Sequence, residues 1–457
     1  MKQKLLILLI SVLIPAISIN GKPGFKKDGF EFAFFHETDY VLISWGYTSH
    51  TSQKLAQGVF HIPSSVEYQG KTYKVRGIAP NGFGGCTDIQ HLVIDDGIGS
   101  IADDAFQYCI NLESVRIPAS VSGVGERLFS GCRNLKSIVV DSKNEDLDSR
   151  DSCNAIIDSD NDELMVGCSA TTIPPSVTSI GQGAFNWCLN INNFYIPEGI
   201  QRIGNNAFGG CINLEHITLP QSLETIGGFA FSGCESLQSL YIPKNVKSID
   251  SEMLFYGCDS LSSIVVDKNN KVYDSRHKCN AIIETKSSKV IAGCAASKLV
   301  EGLKEIGDLA FQGIQLSEIV ISKSMTQISA EAFYDCDALS RITVNKDNPK
   351  YESPGGCNAI IRKDSDILVL GCPNTIIPKR VKEIGCHAFY GRPVAKKTLC
   401  LPDGLTSIGE GAFSHCDNLF EIIIPQSVTS IGECAFVYCP HLAVVQLLGR
   451  IKELKES

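Results

Sequence analysis

One phrase recurs along most of this chain, and it constrains the fold more than any other feature of the sequence. Its skeleton is C-x-x-L-x-x-I-x-I-P-x-x-V-x-x-I-G-x-x-A-F, which is clearest over residues 177–211. The phenylalanine that ends the phrase occurs at twelve positions: Phe83, Phe106, Phe129, Phe185, Phe208, Phe231, Phe255, Phe311, Phe333, Phe389, Phe413 and Phe436. Eight of the eleven steps between them are 22–24 residues long. A fixed period of this length is typical of arrays in which short repeats stack on one another.

The other three steps are each 56 residues long, so an insertion of 33 residues (56 − 23) has been added to the array three times. The insertions share the motif C-N-A-I-I at the beginning and G-C at the end of the ranges Cys153–Cys168, Cys279–Cys294 and Cys357–Cys372. Each insertion contains two apolar stretches around a polar turn. This pattern predicts a hairpin that either stands on the array or forms an extra coil.

Within a repeat, the spacing of apolar residues predicts two extended segments and a turn. Leu214, Ile217 and Leu219 lie on one face of a strand, and Pro220 ends its pairing because proline has no N–H. The V-x-x-I-G motif predicts a second extended segment. The A-F dipeptide predicts a short helical or turn segment with its phenylalanine pointing inward. Neighbouring strands are about 4.8 Å apart, whereas packed helices need about 8–10 Å. We therefore expect a curved, right-handed solenoid with a parallel β-sheet on its concave side and short helical or turn segments opposite.

Residues 1–18 differ from the repeats and have the features of a signal peptide. Two lysines precede a short apolar run, and Ala16 and Ser18 fit a small-x-small cleavage site. An N-terminal membrane anchor is the alternative, although the apolar run is shorter than the roughly 20 residues that a span needs. We expect this segment to be removed and the mature chain to be exported without spanning the membrane.

Residues 19–75 also lack the repeat phrase, and their alternating apolar residues predict several short strands. The first turn of a solenoid has an open edge and an exposed core, so it needs a cap. We interpret residues 19–75 as an N-terminal β cap, with a small independent binding domain as the alternative. The repeats then occupy residues 76–447, and a short charged tail follows at residues 448–457.

Length and charge narrow the classes of protein that fit this sequence. A chain of 457 residues is too long for one compact core, but a solenoid avoids that limit because each turn contacts only its neighbours. The formal net charge of -9 and the pI near 5.6 argue against a nucleic-acid partner, because a nucleic-acid-binding surface would be basic.

The repeat phrase resembles the BspA-type leucine-rich repeat, also called the treponemal type, over roughly residues 76–447. The N-terminal cap and the C-N-A-I-I insertions look like those of Bacteroidales members of this family. Two repeats depart from the phrase, since Ile314 and Arg392 stand where cysteine is expected and Lys396 lies near a core leucine position. The resemblance implies a leucine-rich repeat solenoid and a secreted or cell-surface protein. Some members are similar to adhesins, and the family has no catalytic residues to assign here.

The chain has nineteen cysteines, and ten of them lie three residues after a repeat phenylalanine. We interpret these ten as small buried residues that fill one equivalent core position in each turn. The alternative is metal or redox chemistry, but the sequence contains no C-x-x-C motif of the kind that binds zinc. We therefore predict neither a metal site nor a cofactor.

The cysteines of the insertions form a separate group, because fourteen residues separate the two members of each pair and the polar turn lies midway. A hairpin would bring such positions within the Cα separation of about 4.4–6.8 Å that a disulfide needs, and export permits the bond. The predicted pairs are Cys153–Cys168, Cys279–Cys294 and Cys357–Cys372. The alternative is that these six cysteines are buried free thiols.

No catalytic or metal-binding motif stands out elsewhere. Asp158, Asp160 and Asp162 begin like a calcium loop, but Glu163 and Ser169 occupy the positions where such a loop needs glycine and glutamate. A solvated hairpin turn is the better interpretation. The sequence has no H-E-x-x-H or phosphate-loop motif, and its nine histidines are scattered. We expect the protein not to be an enzyme.

The best candidate for a functional surface is the row of residues exposed on the sheet, one between the two inward residues of each strand. The row contains Val93, Arg116, Val139, Tyr195, Thr218, Tyr241, Val265, Val320, Thr343, Cys400, Ile423 and Gln446. The predicted binding residues are Arg116, Tyr195, Thr218, Tyr241 and Thr343, because solenoids bind partners on extended concave faces and tyrosine is favoured at interfaces. The alternative is that valine, threonine and tyrosine are simply good strand formers.

These observations favour an exported, non-catalytic binding or adhesion protein. Its partner would be a protein or glycan on host or neighbouring cells, engaged through the concave sheet. Two other hypotheses remain open at this point. The chain could be a structural or decoy surface antigen without a specific ligand, or an enzyme whose site the sequence does not reveal.

Overall fold

The computed structural model of the chain describes residues 24–34, 40–45, 58–392 and 397–454. The predicted signal peptide, residues 1–18, lies outside the described residues. The chain divides into two compact units, residues 1–234 and residues 235–457. Both units are built from short strands joined by tight turns, and the described ranges contain no α-helix. The 3-10 segments that lie wholly within the described ranges are Arg150–Ser152, Arg276–Lys278, Glu331–Phe333 and Pro354–Gly356.

The described strands of the first unit are β1 (Phe25–Lys27), β2 (Phe30–Phe34), β3 (Tyr40–Trp45), β4 (Val59–Ile62), β5 (Ser65–Tyr68), β6 (Lys71–Ile78), β7 (His91–Ile94), β8 (Ser100–Ile101), β9 (Ser114–Ile117), β10 (Gly123–Val124), β11 (Ser137–Val140), β12 (Leu147–Asp148), β13 (Ile156–Asp158), β14 (Glu163–Val166), β15 (Ser179–Ile180), β16 (Asn193–Tyr195), β17 (Arg202–Ile203), β18 (His216–Thr218) and β19 (Thr225–Ile226).

The described strands of the second unit are β20 (Ser239–Ile242), β21 (Ser248–Ile249), β22 (Ser263–Val266), β23 (Tyr273–Asp274), β24 (Ala281–Glu284), β25 (Lys289–Gly293), β26 (Glu305–Ile306), β27 (Glu318–Ile321), β28 (Gln327–Ile328), β29 (Arg341–Val344), β30 (Tyr351–Glu352), β31 (Ala359–Arg362), β32 (Ile367–Gly371), β33 (Glu383–Ile384), β34 (Thr398–Cys400), β35 (Ser407–Ile408), β36 (Glu421–Ile424), β37 (Ser430–Ile431), β38 (Val444–Leu447) and β39 (Glu453–Leu454).

Between insertions, each repeat contributes one strand of three or four residues and one strand of two residues, and both pair in parallel with their counterparts in neighbouring repeats. In the first unit the longer strands β4, β7, β9 and β11 form one parallel sheet, with Leu92 opposite Val115 and Val115 opposite Ile138. The two-residue strands form a second ladder, in which Ile180 lies opposite Ile203 and Ile203 opposite Ile226. The predicted parallel solenoid of leucine-rich repeats is confirmed.

The A-F segment forms the third side of each turn, and its backbone also bonds to the next repeat. The N–H of Phe106 donates to the carbonyl of Leu128 at 3.1 Å, and the N–H of Phe185 donates to that of Ala207 at 2.8 Å. The phenylalanine rings point inward as predicted, and successive rings stack with centroids 5.1–6.0 Å apart. The segment is a turn in the other repeats and a 3-10 turn at Glu331–Phe333, and its spacing is close to that of strands.

The N-terminal strands cover the first turn of the array. Strands β1, β2 and β3 pair antiparallel, and β3 pairs in parallel with β6. The ring of Phe30 contacts the rings of Phe60 and Phe83, with centroid distances of 5.8 and 6.2 Å. The N-terminal β cap over residues 19–75 stays a prediction. Strand β4 already pairs in parallel with β7, so the stacked strands begin before residue 76.

Each insertion forms an antiparallel hairpin that joins the ladder of two-residue strands. In the first insertion β13 pairs with β14, and β14 then pairs in parallel with β15. The second and third insertions repeat this arrangement with β24–β25–β26 and β31–β32–β33. The A-F turns on either side of an insertion still touch, since the Ser130 hydroxyl donates to Oδ1 of Asn186 at 2.7 Å. The additional residues therefore lie on the strand sides of the coil.

Seven of the ten repeat cysteines are buried and three are partly buried, and the structure shows a role for them that the sequence did not indicate. The thiol of one repeat donates to the carbonyl oxygen of the phenylalanine in an earlier repeat. The S···O distances are 3.2 Å for Cys109–Phe83, 3.1 Å for Cys132–Phe106, 3.1 Å for Cys211–Phe185, 3.2 Å for Cys234–Phe208, 3.0 Å for Cys336–Phe311, 3.3 Å for Cys416–Phe389 and 3.0 Å for Cys439–Phe413. Burial raises the pKa of Cys211 and Cys336 to about 12, so these thiols keep their proton at neutral pH.

Arg392 replaces the cysteine of its repeat and is completely buried. Its Nη1 donates to the carbonyl oxygen of Phe333 at 2.8 Å, which is the bond that a thiol makes in other repeats. Its Nη2 donates to the carbonyls of His387 and Ala388, at 3.1 and 2.6 Å. Burial lowers the pKa of the guanidinium.

We expect Cys211→Ala to lower the free energy of unfolding by about 1–3 kcal/mol, because it removes a buried hydrogen bond and leaves a small cavity. Cys400→Ala serves as the control, since Cys400 is exposed and a change there should stay within about 0.5 kcal/mol. Urea unfolding of both variants measures the difference. Equal urea midpoints for the two variants would show that the hydrogen bond from the Cys211 thiol does not stabilise the array.

We expect Arg392→Ala to lower the free energy of unfolding by about 2–5 kcal/mol, because it empties a filled site and removes three buried hydrogen bonds from the guanidinium. Arg341→Ala is the matched control, as the Arg341 side chain is 69% exposed and its contact with Glu318 is 4.0 Å long. Thermal unfolding of the two variants compares them. A loss no larger than that of the control would contradict the structural role of Arg392.

Candidate functional site

The outward residues of the longer strands form the candidate binding surface, and the insertions divide it. In the first unit Arg116 is exposed and lies between Val93 and Val139 on paired strands. That sheet comprises β4, β7, β9 and β11, and strand β16, which carries Tyr195, belongs to a different sheet. The structure therefore does not bring Arg116 together with Tyr195, although the sequence placed both in one row.

Tyr195 and Thr218 are neighbours, because they lie directly opposite each other on β16 and β18. The Tyr195 side chain is 68% exposed. Asn193 and His216, which also lie opposite each other, point to the same side and are exposed. Asn193, Tyr195, His216 and Thr218 thus form one polar surface around an exposed aromatic ring, which we name the Tyr195 patch. Sequence reasoning missed Asn193 and His216, although the two-residue period of a strand places them on the face of Tyr195.

Tyr241 and Thr343 lie in the second unit, on separate sheets. Tyr241 is opposite Val265, and its hydroxyl donates to Oδ2 of Asp267 at 2.6 Å. This bond raises the pKa of Tyr241 and lowers the pKa of Asp267. Thr343 is half-buried opposite Val320, and its hydroxyl is 3.5 Å from the carbonyl of Ile319. The hydroxyl of Tyr241 is therefore held in place by Asp267, whereas the side chain of Thr343 is only partly accessible to a partner.

One pair on the outward face combines a serine with a histidine. Nδ1 of His91 lies 2.8 Å from the hydroxyl of Ser114 on the neighbouring strand. Among the described contacts of His91, none is with a carboxylate, so the pair lacks the group that orients the histidine in a catalytic triad. It is a cross-strand hydrogen bond on the surface of the sheet.

The aspartates whose spacing resembles a calcium-binding loop form hydrogen bonds and an ion pair within the protein. Oδ1 of Asp158 accepts hydrogen bonds from the backbone of Asp160 and Asn161 at 2.9 and 3.2 Å. Asp162 pairs with Nη1 of Arg150 at 2.7 Å. In the described ranges no group of three histidine, cysteine, aspartate or glutamate residues is arranged to hold a metal ion. These aspartates form a hydrogen-bonded hairpin turn.

The six insertion cysteines are buried. In the first insertion Sγ of Cys153 lies 3.9 Å from the carbonyl of Ala155, while Sγ of Cys168 lies 3.5 Å from that of Asn154. Burial raises the pKa of both thiols. The disulfides Cys153–Cys168, Cys279–Cys294 and Cys357–Cys372 stay a prediction.

No helix within the described parts of the chain has the length and apolar character that crossing a membrane requires.

A sequence model described as the BspA type leucine rich repeat region, with six copies, matches residues 54–154, 165–281, 288–353 and 371–457. These ranges include most of the chain and all five predicted binding residues of the outward face. No curated protein matches the chain in sequence.

Three solved structures illustrate what the chain is similar to. A leucine rich cell surface protein from Faecalibacterium prausnitzii is 21% identical, with 94% of this chain and 96% of that chain covered and a TM-score of 0.45. A leucine-rich repeat protein from Bacteroides ovatus is 27% identical, with 92% and 94% covered and a TM-score of 0.38. The pneumococcal vaccine antigen PcpA is 15% identical, with 94% and 87% covered and a TM-score of 0.28.

The cysteine pairing can be tested by mass spectrometry of protein produced in an oxidising compartment, after unfolding and alkylation without reduction. We expect the six insertion cysteines to be unmodified and linked in the three predicted pairs, because disulfides form and persist in such a compartment. The repeat cysteines, such as Cys211, are the internal control and should be alkylated. Alkylation of all six insertion cysteines would refute the disulfides.

Proposed function

Because this chain belongs to the BspA-type leucine-rich repeat family, we propose that it is an exported, non-catalytic binding or adhesion protein. Its partner is a protein or glycan on host or neighbouring cells, engaged through the outward face of the longer strands. The observation that carries the proposal is the Tyr195 patch, which sets a tyrosine that is 68% exposed among Asn193, His216 and Thr218.

The Tyr195 patch has the chemistry of an interaction site. Its tyrosine has an apolar ring and a polar hydroxyl, a combination that is enriched at binding hot spots. The surrounding amide, imidazole and hydroxyl groups can donate and accept hydrogen bonds. The patch lies on paired strands of a stacked array, so the backbone that carries its side chains is fixed before a partner arrives. Such preorganisation lowers the entropic cost of binding.

Export is supported by the signal-peptide features of residues 1–18. A secreted or cell-surface location also suits a repeat family that presents extended surfaces to partners. The net charge of -9 favours a partner other than nucleic acid. These properties agree with a protein that acts outside the cell by binding.

The test is a binding screen of residues 19–457 against host matrix proteins, mucins and bacterial surface glycans, followed by substitution of the patch. We expect one saturable partner, and we expect Tyr195→Ala to weaken its binding about tenfold or more because a central aromatic contact is lost. Tyr438→Ala is the matched control, since Tyr438 is similarly exposed, at 71%, but lies beside a repeat phenylalanine rather than on the outward strand face. Surface plasmon resonance measures both affinities.

Unchanged binding by Tyr195→Ala would remove the patch from the interface. Broad, weak binding without saturation would favour the structural or decoy antigen instead. Turnover of a substrate in a panel of hydrolase assays would contradict the non-catalytic part of the proposal.

A further inference from the structure

A second surface of the first unit carries exposed aromatic rings, and it lies on the side of the A-F turns. Tyr108 and Trp187 each stand two residues after a repeat phenylalanine, and they are 46% and 40% exposed. The same position is glycine in the other repeats of this unit, namely Gly85, Gly131, Gly210 and Gly233. The two aromatic residues and four glycines therefore form one column across successive turns.

The glycines allow the rings to lie flat on the backbone of the next turn. A Cβ added to Gly210 would be 2.6–2.8 Å from three atoms of the Trp187 indole, so one ring face covers this glycine. A Cβ added to Gly131 would be 2.4 Å from the ring of Tyr108. Gly131 and Gly210 are buried, whereas Gly85 is exposed. One face of each ring is thus packed on a glycine while the side chain stays accessible to solvent.

Asparagines flank this column. Asn111 and Asn190 lie three residues after Tyr108 and Trp187, and Asn213 occupies the same position in the next repeat. All three are exposed, and each donates one amide N–H to a carbonyl of an earlier turn, at 2.9, 2.5 and 2.8 Å respectively. An amide group also supplies a further donor and an acceptor. The aromatic column therefore has hydrogen-bonding groups along one edge.

The charged groups along the other edge are already engaged. Arg127 pairs with Asp104 at 2.6 Å, and Oε2 of Glu126 accepts a hydrogen bond from Gln182 at 2.6 Å. The column itself offers aromatic faces and amides. This chemistry is complementary to a neutral sugar, whose C–H face is apolar and whose rim carries hydroxyls.

We propose that Tyr108, Trp187 and the neighbouring asparagines form a glycan-binding strip for a neutral polysaccharide. The apolar faces of pyranose rings stack on the two aromatic rings, and the sugar hydroxyls bond to the amides. Tyr108 and Trp187 are two turns apart, or about 10 Å if each turn adds the usual strand spacing of about 4.8 Å. One monosaccharide does not cover both rings at that distance, whereas an oligosaccharide does. The strip is independent of the Tyr195 patch.

A flat protein partner fits this surface less well than a sugar chain. Protein interfaces usually bury about 800 Å² on each side, whereas the strip is one aromatic residue wide and is interrupted by glycine. A polysaccharide is itself narrow and can follow the column from turn to turn.

The test measures binding of cellohexaose, xylohexaose and mannohexaose to residues 19–457 by calorimetry and by tryptophan fluorescence, with glucose as the short probe. We expect at least one hexasaccharide to bind saturably and glucose to bind far more weakly. Trp187→Ala should weaken the hexasaccharide about tenfold or more, and Tyr108→Ala should also weaken it. Tyr195→Ala should leave it unchanged, which separates this site from the Tyr195 patch.

A pair of glycine variants tests the flat ring position itself. Gly210→Ala places a methyl group against the indole of Trp187, so it should lift the ring and weaken the hexasaccharide as Trp187→Ala does. Gly85→Ala is the matched control, because both glycines have φ near +72° but a Cβ on Gly85 meets nothing within 4 Å. Both variants therefore carry the same backbone strain, and only one disturbs the strip.

Several outcomes would overturn the proposal. Absence of saturable binding by all three hexasaccharides at millimolar concentration would do so, as would full retention of binding in Trp187→Ala. If no hexasaccharide binds and Trp187→Ala instead abolishes binding of a protein from the screen, the strip is a protein contact. Circular dichroism of each variant shows that the fold is intact, and Trp187→Phe, which retains an aromatic ring, should keep most of the affinity.

Discussion

The whole structure depends on backbone hydrogen bonds between successive turns on all three sides of the coil. The longer strands pair in parallel, the two-residue strands pair in parallel, and the N–H of Phe185 reaches the carbonyl of Ala207 on the A-F side. Because every side repeats at nearly the same spacing, each inward residue must stack on its equivalent in the next turn. The phenylalanine rings stack with centroids 5.1–6.0 Å apart, and the cysteine thiols donate hydrogen bonds to phenylalanine carbonyls of a neighbouring turn, so both residue types can repeat in every turn. The period visible in the sequence is thus a direct consequence of stacking.

Arg392 shows how this constraint operates when the repeat phrase fails. Arg392 stands three residues after Phe389, and its long guanidinium donates to the carbonyl of Phe333 in place of a thiol. Two further bonds to carbonyls from Nη2 spread the charge over backbone oxygens. The sequence identified Arg392 as a departure, but it could not reveal this substitution of donors, because the bond joins residues 59 positions apart.

The parts of the fold that the sequence could predict are those set by burial. The strand around Ile217, the inward phenylalanines and the buried cysteines all follow from the pattern of apolar residues. The A-F segment was ambiguous between helix and turn, because local sequence does not reveal that its N–H groups bond to the next turn. The row of outward residues was only partly correct, since the length of an insertion does not show on which side of the coil its residues lie. Tyr195 and Thr218 are adjacent, but the first insertion places Arg116 on another sheet.

Function can evolve only at positions that stacking leaves free, and the chain has two such sets. The outward strand positions accept any residue that tolerates an extended backbone, so a tyrosine such as Tyr195 costs little there. The position two residues after each phenylalanine is different, because its backbone is left-handed. Tyr108 and Trp187 have φ of 55° and 53°, a conformation that costs a residue other than glycine about 1–2 kcal/mol. Glycine fills this position in four repeats of the first unit, whereas the two aromatic residues carry a local backbone penalty. Their packing on Gly131 and Gly210 offsets part of that penalty, and a ligand that stacks on the exposed faces is a physical reason to keep them.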